Sequence, residues 1–287
     1  MEAVRVETLD DPRIADFRHI PDPVRLRERG TFVAEGRLAV RRLIADTRFR
    51  VRALLVTPTA LESLRDARGL DADTPPVYVA SRALIKEIGG YDFHQGCLGL
   101  ADRPQPESLA VLLGRLSSRR PIVVLEQVGN ADNVGGIFRN AAAFGAAAVL
   151  LSPGCCDPLY RKAVRTSIAT SLQIPFAVID DWPGGLDLVR RRGYDLVALT
   201  PDTDATCVGR HSFFERGRSP AFMLGNEGDG LSLAALAAAD ARVRIPLEPT
   251  VDSLNVATTA AIMLHHIRRI SESGEQRDSE SSWPGGR

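Results

Sequence analysis

Lysine is nearly missing from this chain: Lys86 and Lys162 are the only two among 36 cationic residues, so arginine carries the positive charge. Net charge is missing as well, because 36 Lys+Arg face 36 Asp+Glu. A uniformly basic coat is thereby excluded, and only a local basic patch could hold a polyanion. Arginine's planar fork suits phosphate, although a plain compositional preference for arginine would give the same count. Cysteine is sparse. Cys97, Cys155, Cys156 and Cys207 show no C-x-x-C spacing and are too few for a disulfide scaffold, so neither structural zinc nor bridges are expected. Adjacent Cys155 and Cys156 cannot make an ordinary bridge, which points to free thiols in a reducing cytoplasm. Long apolar runs are absent too: Ala141 to Leu151 is about half a membrane span. The opening MEAVRVETLDDPR has acids where a secretion signal needs a basic start and an apolar core. A soluble cytoplasmic protein without membrane or metal is the expectation.

The composition, 44% hydrophobic and 25% charged, is that of a globular protein and excludes a largely disordered chain. A length of 287 residues suggests two domains. The first runs over residues 1–103. Within it, Arg25 to Arg52 holds nine arginines against Glu28, Glu35 and Asp46, a local +6. Phe32-Val-Ala leads into Glu35-Gly36, and Leu38, Val40, Leu43 and Ile44 recur at helical spacing. Val51–Val56 and Val77–Ala80 read as strands, and Ser81 caps a helix to Ile88. Two prolines in Asp102-Arg-Pro-Gln-Pro-Glu107 and the run Ser117–Pro121 mark a linker over 104–120.

From 121 to 270 strand and helix signals alternate. Strands are expected at Ile122–Leu125, Ala147–Leu151, Phe176–Ile179, Leu196–Leu199, Ala221–Leu224 and Val243–Ile245. Helices are expected at Val134–Phe144, Leu159–Ser171, Leu186–Arg192, Leu233–Ala239 and Leu254–Ile270. Short apolar strands between helices imply an α/β domain with a parallel sheet covered on both faces. Ligands then sit beyond the carboxyl ends of the strands. The polar tail 271–287 is expected to be disordered.

Three segments follow strand ends. In Asn130-Ala-Asp-Asn133-Val-Gly-Gly-Ile-Phe-Arg139, Asn133 is placed to cap a helix, and Arg139 has only small neighbours over which to lean. By itself this reads equally as a capped helix with a solvated arginine. In Gly225-Asn-Glu227-Gly228-Asp-Gly230, glycines let the backbone pass near a ligand, or simply make a surface turn. No G-x-G-x-x-G or Gly-Lys-Ser/Thr spacing is present, which argues against a dinucleotide or P-loop site. The third is Pro246-Leu-Glu248, then Ser253-Leu-Asn255-Val-Ala257, where Ser253 or Asn255 starts a helix. Its small residues would let another helix or a partner subunit pack closely.

In order and spacing the three segments resemble the motifs of the SpoU (TrmH) family of RNA ribose 2′-O-methyltransferases, within the SPOUT superfamily. The matching residues are Asn133, Gly135, Arg139, Phe144 and Gly145; Gly225, Glu227, Gly228 and Gly230; and Pro246, Ser253, Leu254, Asn255 and Val256. The first block, through Phe32-Val-Ala-Glu35-Gly36 and His94-Gln95-Gly96, is similar to the family's substrate-binding domain, related to ribosomal protein L30e. The resemblance implies a parallel SPOUT sheet with a deep trefoil knot, and a homodimer whose active sites are completed across the interface. It also implies S-adenosylmethionine held near Thr200, Leu224, Gly225, Ile245, Leu247, Ser253, Leu254, Asn255 and Ala257.

The implied catalytic set is Arg139 with Asn133, Glu227, Ser253 and Asn255. A guanidinium loses its proton only above about pH 12. Arg139 therefore reads better as a clamp on the neighbouring phosphate that lowers the hydroxyl's pKa than as a free base. Arg25, Arg37, Arg41 and Arg42, with Arg139, are the candidate RNA contacts. Structured ribosomal RNA is the expected substrate, with tRNA the alternative. A catalytically silent RNA-binding relative and a nucleotide-cofactor dehydrogenase are the competing classes. The three intact motifs disfavour the first, and the glycine spacing disfavours the second.

Overall fold

The computed structural model describes residues 3–20, 22–64, 75–89, 96–117, 120–214 and 217–281. His94 and Gln95, which carry part of the L30e-like resemblance, lie outside the described residues. The chain divides into two units, Met1–Pro106 with Asp157–Gln173, and Glu107–Cys156 with Ile174–Arg287. The segment 157–173, which the sequence pattern puts in the second domain, thus belongs with the first unit.

The first unit holds strands β1 (Ala3–Arg5), β2 (Thr31–Glu35), β3 (Val51–Val56), β4 (Val77–Val79) and β5 (Cys97–Asp102), in the order β1-β4-β3-β5-β2. β5 runs antiparallel to β2 and β3, and the other pairs are parallel. Its helices are α1 (Pro23–Glu28), α2 (Arg37–Ala45), α3 (Pro58–Leu64) and α4 (Arg82–Gly89). The helical spacing read from Leu38 to Ile44 becomes α2, which buries Ala39, Val40, Leu43 and Ile44. Gly99 of β5 admits it: a Cβ there would stand 3.0 Å from the Leu43 side chain. Ser81 caps α4 by accepting from the Leu84 N–H at 3.1 Å. A core of Ile14, Phe17, Leu55, Ile85 and Leu98 is shared with the amino-terminal segment.

The second unit begins earlier than expected. α5 (Leu109–Arg115) occupies what reads as linker, capped by Ser108 and burying Leu112 and Leu113. The prolines at 104 and 106 interrupt only the chain before that cap. Seven parallel strands follow: β6 (Ile122–Leu125), β7 (Val149–Leu151), β8 (Phe176–Val178), β9 (Tyr194–Leu199), β10 (Thr206–Cys207), β11 (Ser219–Leu224) and β12 (Ala241–Arg244). Their order is β10-β12-β9-β11-β6-β7-β8, so β11, not β9, lies beside β6. In a dinucleotide-binding sheet the fourth strand takes that place. Four strands of this unit, β6, β7, β9 and β11, are wholly or largely buried, as the apolar runs Ile122–Leu125, Val149–Leu151, Leu196–Leu199 and Ala221–Leu224 within them require.

Helices α6 (Ala131–Phe144), α7 (Arg161–Thr166, in the first unit), α8 (Leu186–Arg191), α9 (Leu233–Ala238) and α10 (Val256–Ser281) complete the set. α7 is shorter than the expected Leu159–Ser171 helix. Ile168 and Ala169 adopt φ of 54° and 60°, which stops the helix, and a single 3-10 turn follows at Thr170–Leu172. α10 continues to Ser281, past Ser271, where a disordered tail was expected. The stretch is rich in Glu, Gln, Arg and Ser and has no proline before Pro284, so nothing in it forbids a helix. No described helix is long and apolar enough to cross a membrane.

Candidate active site

Parallel pairing brings the carboxyl ends of β6 and β11 together, Leu125 beside Leu224, and the Thr200 N–H donates to Val243 O at 3.1 Å. The loops after β6, β9, β11 and β12 therefore leave the same edge of the sheet, which is where all three motifs lie.

Their joint is Asn133. By sequence it is a helix cap, but Asn130 takes that role, its side chain accepting from the Asp132 N–H at 2.8 Å. Asn133 falls inside the first turn of α6, only 9% exposed, and is free for tertiary contacts. Its Nδ2 donates to Glu227 Oε1, and its Oδ1 accepts from Asn255 Nδ2 at 2.8 Å. Asn255 Oδ1 in turn accepts from the N–H groups of Ala257 and Thr258 at 2.9 and 3.2 Å. Asn255, and not Ser253, therefore caps α10. The bonds form one directional chain from the electropositive start of α10 through two amides to a carboxylate.

The Glu227 loop is closed on itself. Asn226 Oδ1 accepts from the N–H groups of Gly228 and Asp229 at 2.8 and 2.7 Å, and Asn226 pairs with Gly230. A Cβ on Gly225 would lie 1.9 Å from the Gly230 carbonyl carbon. The glycine that the sequence assigns to close approach of a ligand is thus required by the loop's own backbone. Similarly, a Cβ on Gly136 would come 3.0 Å from Ala257 Cβ, and Asn140 Nδ2 donates to Ala257 O at 2.8 Å. The small residues of α10 serve close packing against α6 of the same chain.

Around the same edge Leu224 is buried, whereas Thr200, Ile245, Leu247, Leu254 and Ala257 are half-buried. The peptide N–H groups of Ile245, Leu247 and Leu254 find no protein acceptor among the described residues. Apolar walls beside unspent peptide donors suit a planar heteroaromatic ligand with acceptors on its rim. Among the described residues no cluster of His, Cys, Asp and Glu could hold a metal ion.

Two expected catalytic residues stay outside the network. Ser253 is exposed. Arg139 lies six residues after Asn133, roughly 240° around the helix. It is exposed and has no side-chain partner among the described residues. Sequence reasoning also missed one buried polar group at this edge, Glu126, 3% exposed. Its only signal was an acid directly after the apolar strand Ile122–Leu125.

In the first unit the +6 of Arg25 to Arg52 is largely spent locally. Arg25 lies 3.5 Å from Asp22, Arg29 lies 2.7 Å from Asp16, and Arg50 and Arg52 share Asp102. Arg42 donates to Ile168 O, and Arg48 to Leu172 O at 2.6 Å. Glu35, buried at the end of β2, faces Arg161 at 3.5 Å and Arg165 at 3.6 Å. Burial pushes the Arg161 guanidinium below its ordinary value, and Glu35 opposes that shift. Arg37 is half-buried, and Arg41 is exposed and without a partner among the described residues.

Residues 120–265 match the model of the SpoU rRNA Methylase family. A tRNA/rRNA methyltransferase of Mycobacterium tuberculosis, itself described as uncharacterised, is 39% identical over 266 residues, covering 91% of this chain and 90% of the relative. The 23S rRNA (guanosine(2553)-2′-O)-methyltransferase of Bacillus subtilis is 23% identical over 92% of this chain and 99% of its own. The AdoMet-bound rRNA methyltransferase from Sinorhizobium meliloti superposes with a TM-score of 0.78 at 25% identity, covering 93% of this chain and 98% of that one.

Proposed function

The chain belongs to the SpoU rRNA methylase family, and from that membership we propose that it transfers a methyl group from S-adenosylmethionine to a ribose 2′-hydroxyl of structured RNA. The observation that carries the reading is the chain of hydrogen bonds joining Asn255, Asn133 and Glu227. It locks three separate motif loops at one sheet edge, and α6, which contributes Asn133, also presents Arg139, exposed and without a side-chain partner among the described residues. A catalytically silent relative would have no need to keep this polar cluster intact. The strand order and missing glycine fingerprint argue against a dehydrogenase.

S-adenosylmethionine, when bound, supplies an already activated methyl group, so the chain's residues have to bind, align and manage a proton. The half-buried Thr200, Ile245, Leu247, Leu254 and Ala257, with the free N–H groups of Ile245, Leu247 and Leu254, fit its adenosine. Leu224 and Gly225 form the adjoining wall, and Ser253 and Asn255 the approach. Arg139 clamps the phosphate next to the target ribose and stabilises negative charge developing on the 2′-oxygen. Glu227, held by Asn133, keeps the second loop in place beside it.

Ribosomal RNA is the substrate favoured over tRNA, because the Bacillus subtilis relative, matched over nearly its whole length, is named as a 23S rRNA enzyme. A trefoil knot in the second unit, a homodimer and a cytoplasmic location belong to the same proposal, as does RNA binding by the first unit. Two measurements test it. Arg139→Ala should abolish transfer of labelled methyl to RNA while S-adenosylmethionine still binds; wild-type turnover by this variant defeats the assignment. Mapping 2′-O-methyl groups in total RNA, from cells with and without the gene, should reveal one missing site.

A further inference from the structure

The buried acid at the end of β6 takes no part in the Asn133 network. Glu126 Oε1 accepts from Trp182 Nε1 at 2.6 Å, and its Oε2 accepts from the Ser232 N–H at 2.8 Å. Its own N–H donates to Leu224 O at 2.8 Å. No cation pairs with it among the described residues. Burying a carboxylate without a cation is costly, so the position has to be explained by what the charge does there. Both side-chain partners are N–H donors. A carboxylate meets two donors with two acceptors, whereas a glutamine would turn an NH₂ group against one of them. The site therefore demands an acid.

The two backbone contacts bracket the Glu227 loop. Leu224 is the residue before Gly225, and Ser232 is the residue after Leu231 and the cap of α9, accepting from the Ala235 N–H at 3.2 Å. One side chain and its own peptide thus hold the entrance and the exit of the loop. Asn133 holds its tip.

We propose that Glu126 is a positioning residue for the cofactor loop, clamping both ends of Gly225–Leu231 and tying them to Trp182. The inference rests on the reading of that loop as part of the S-adenosylmethionine site, and adds what sets its position. The test uses full-length wild-type, Glu126→Gln and Trp182→Phe proteins, with S-adenosylmethionine and RNA affinities measured separately by titration calorimetry. Glu126→Gln should weaken S-adenosylmethionine about tenfold or more, the scale of removing one charged hydrogen bond, and leave RNA affinity unchanged. Trp182→Phe, which removes one donor only, should weaken it less.

The chain has two tryptophans, Trp182 and Trp283, so a Trp283→Phe background isolates Trp182 emission. Adding S-adenosylmethionine should shift that emission when Glu126 is present and not in Glu126→Gln. Unchanged S-adenosylmethionine affinity in a folded Glu126→Gln protein overturns the proposal. Equal losses of cofactor and RNA affinity also overturn it, because they would make Glu126 a support of the fold at large. If Glu126→Gln does not fold, unchanged affinity in Trp182→Phe overturns it instead. A wild-type protein that binds no S-adenosylmethionine refutes the proposed function itself.

Discussion

Gly225→Ala is the smallest change that should disable the Gly225–Leu231 loop in its proposed role beside the cofactor. The added methyl carbon would lie 1.9 Å from the Gly230 carbonyl carbon, 2.0 Å from its oxygen and 2.3 Å from the Leu231 nitrogen. All three are backbone atoms, so no rotamer change relieves the overlap. Reaching an ordinary contact of 3.4 Å requires the two ends of the loop to part by about 1.5 Å, and Glu126 holds both ends while Asn133 holds the tip. Misplacing a binding element by about 1 Å costs on the order of 100-fold in rate. Overpacking of a tight site costs about 1–3 kcal/mol of stability. The expected outcome is a folded protein with a somewhat lowered Tm and S-adenosylmethionine affinity reduced at least tenfold, read by calorimetry and thermal unfolding. Gly230→Ala is the comparison, since a Cβ there meets nothing within 4 Å, although its φ of +71° strains any side chain. It should lose stability more than affinity. Wild-type S-adenosylmethionine affinity in Gly225→Ala would refute the argument that this glycine sets the loop.

In the first unit, Arg41→Glu should weaken RNA binding and reduce its salt slope by about one unit per phosphate that Arg41 neutralises, with an unchanged Tm; RNA affinity equal to wild type across a salt titration would remove Arg41 from the interface. Arg42→Glu should lower the Tm, because it replaces the donor to Ile168 O with an acceptor, and an unaltered Tm would show that tie to be dispensable. Light scattering at micromolar concentration should give twice the 31.1 kDa chain mass; a fully active monomer would end the homodimer proposal.

The RNA-binding reading changes most between sequence and structure. Counting charges between Arg25 and Arg52 finds a basic stretch, but Asp16, Asp22 and Asp102, which lie outside that window, pair with four of its arginines. Arg41 and Arg42 are both candidate RNA contacts by sequence, and testing either needs a charge reversal that spares the fold. The bond from Arg42 to Ile168, 126 residues away, shows that only Arg41 offers that test.

Read alone, the amino-acid sequence shows the alternation of apolar strands and helices, the parallel character of the larger sheet, and the three motifs at strand ends. These are local: strand burial shows in unbroken apolar runs such as Ile122–Leu125, and turns show in glycine. It could not order the strands, because β11 reaches its place beside β6 only through pairing across about a hundred residues. Nor could it foresee that Asn130 would cap α6 and release Asn133, or that α7 would leave the seven-stranded unit for the first. Asn130 and Asn133 are both good caps by type, and only the partners Glu227 and Asn255, 94 and 122 positions away, decide between them. Glu126 is the extreme case. An acid after a strand reads as a solvent-facing end, and only the tertiary fold, by closing Trp182 and Ser232 over it, makes it a buried acceptor for two donors.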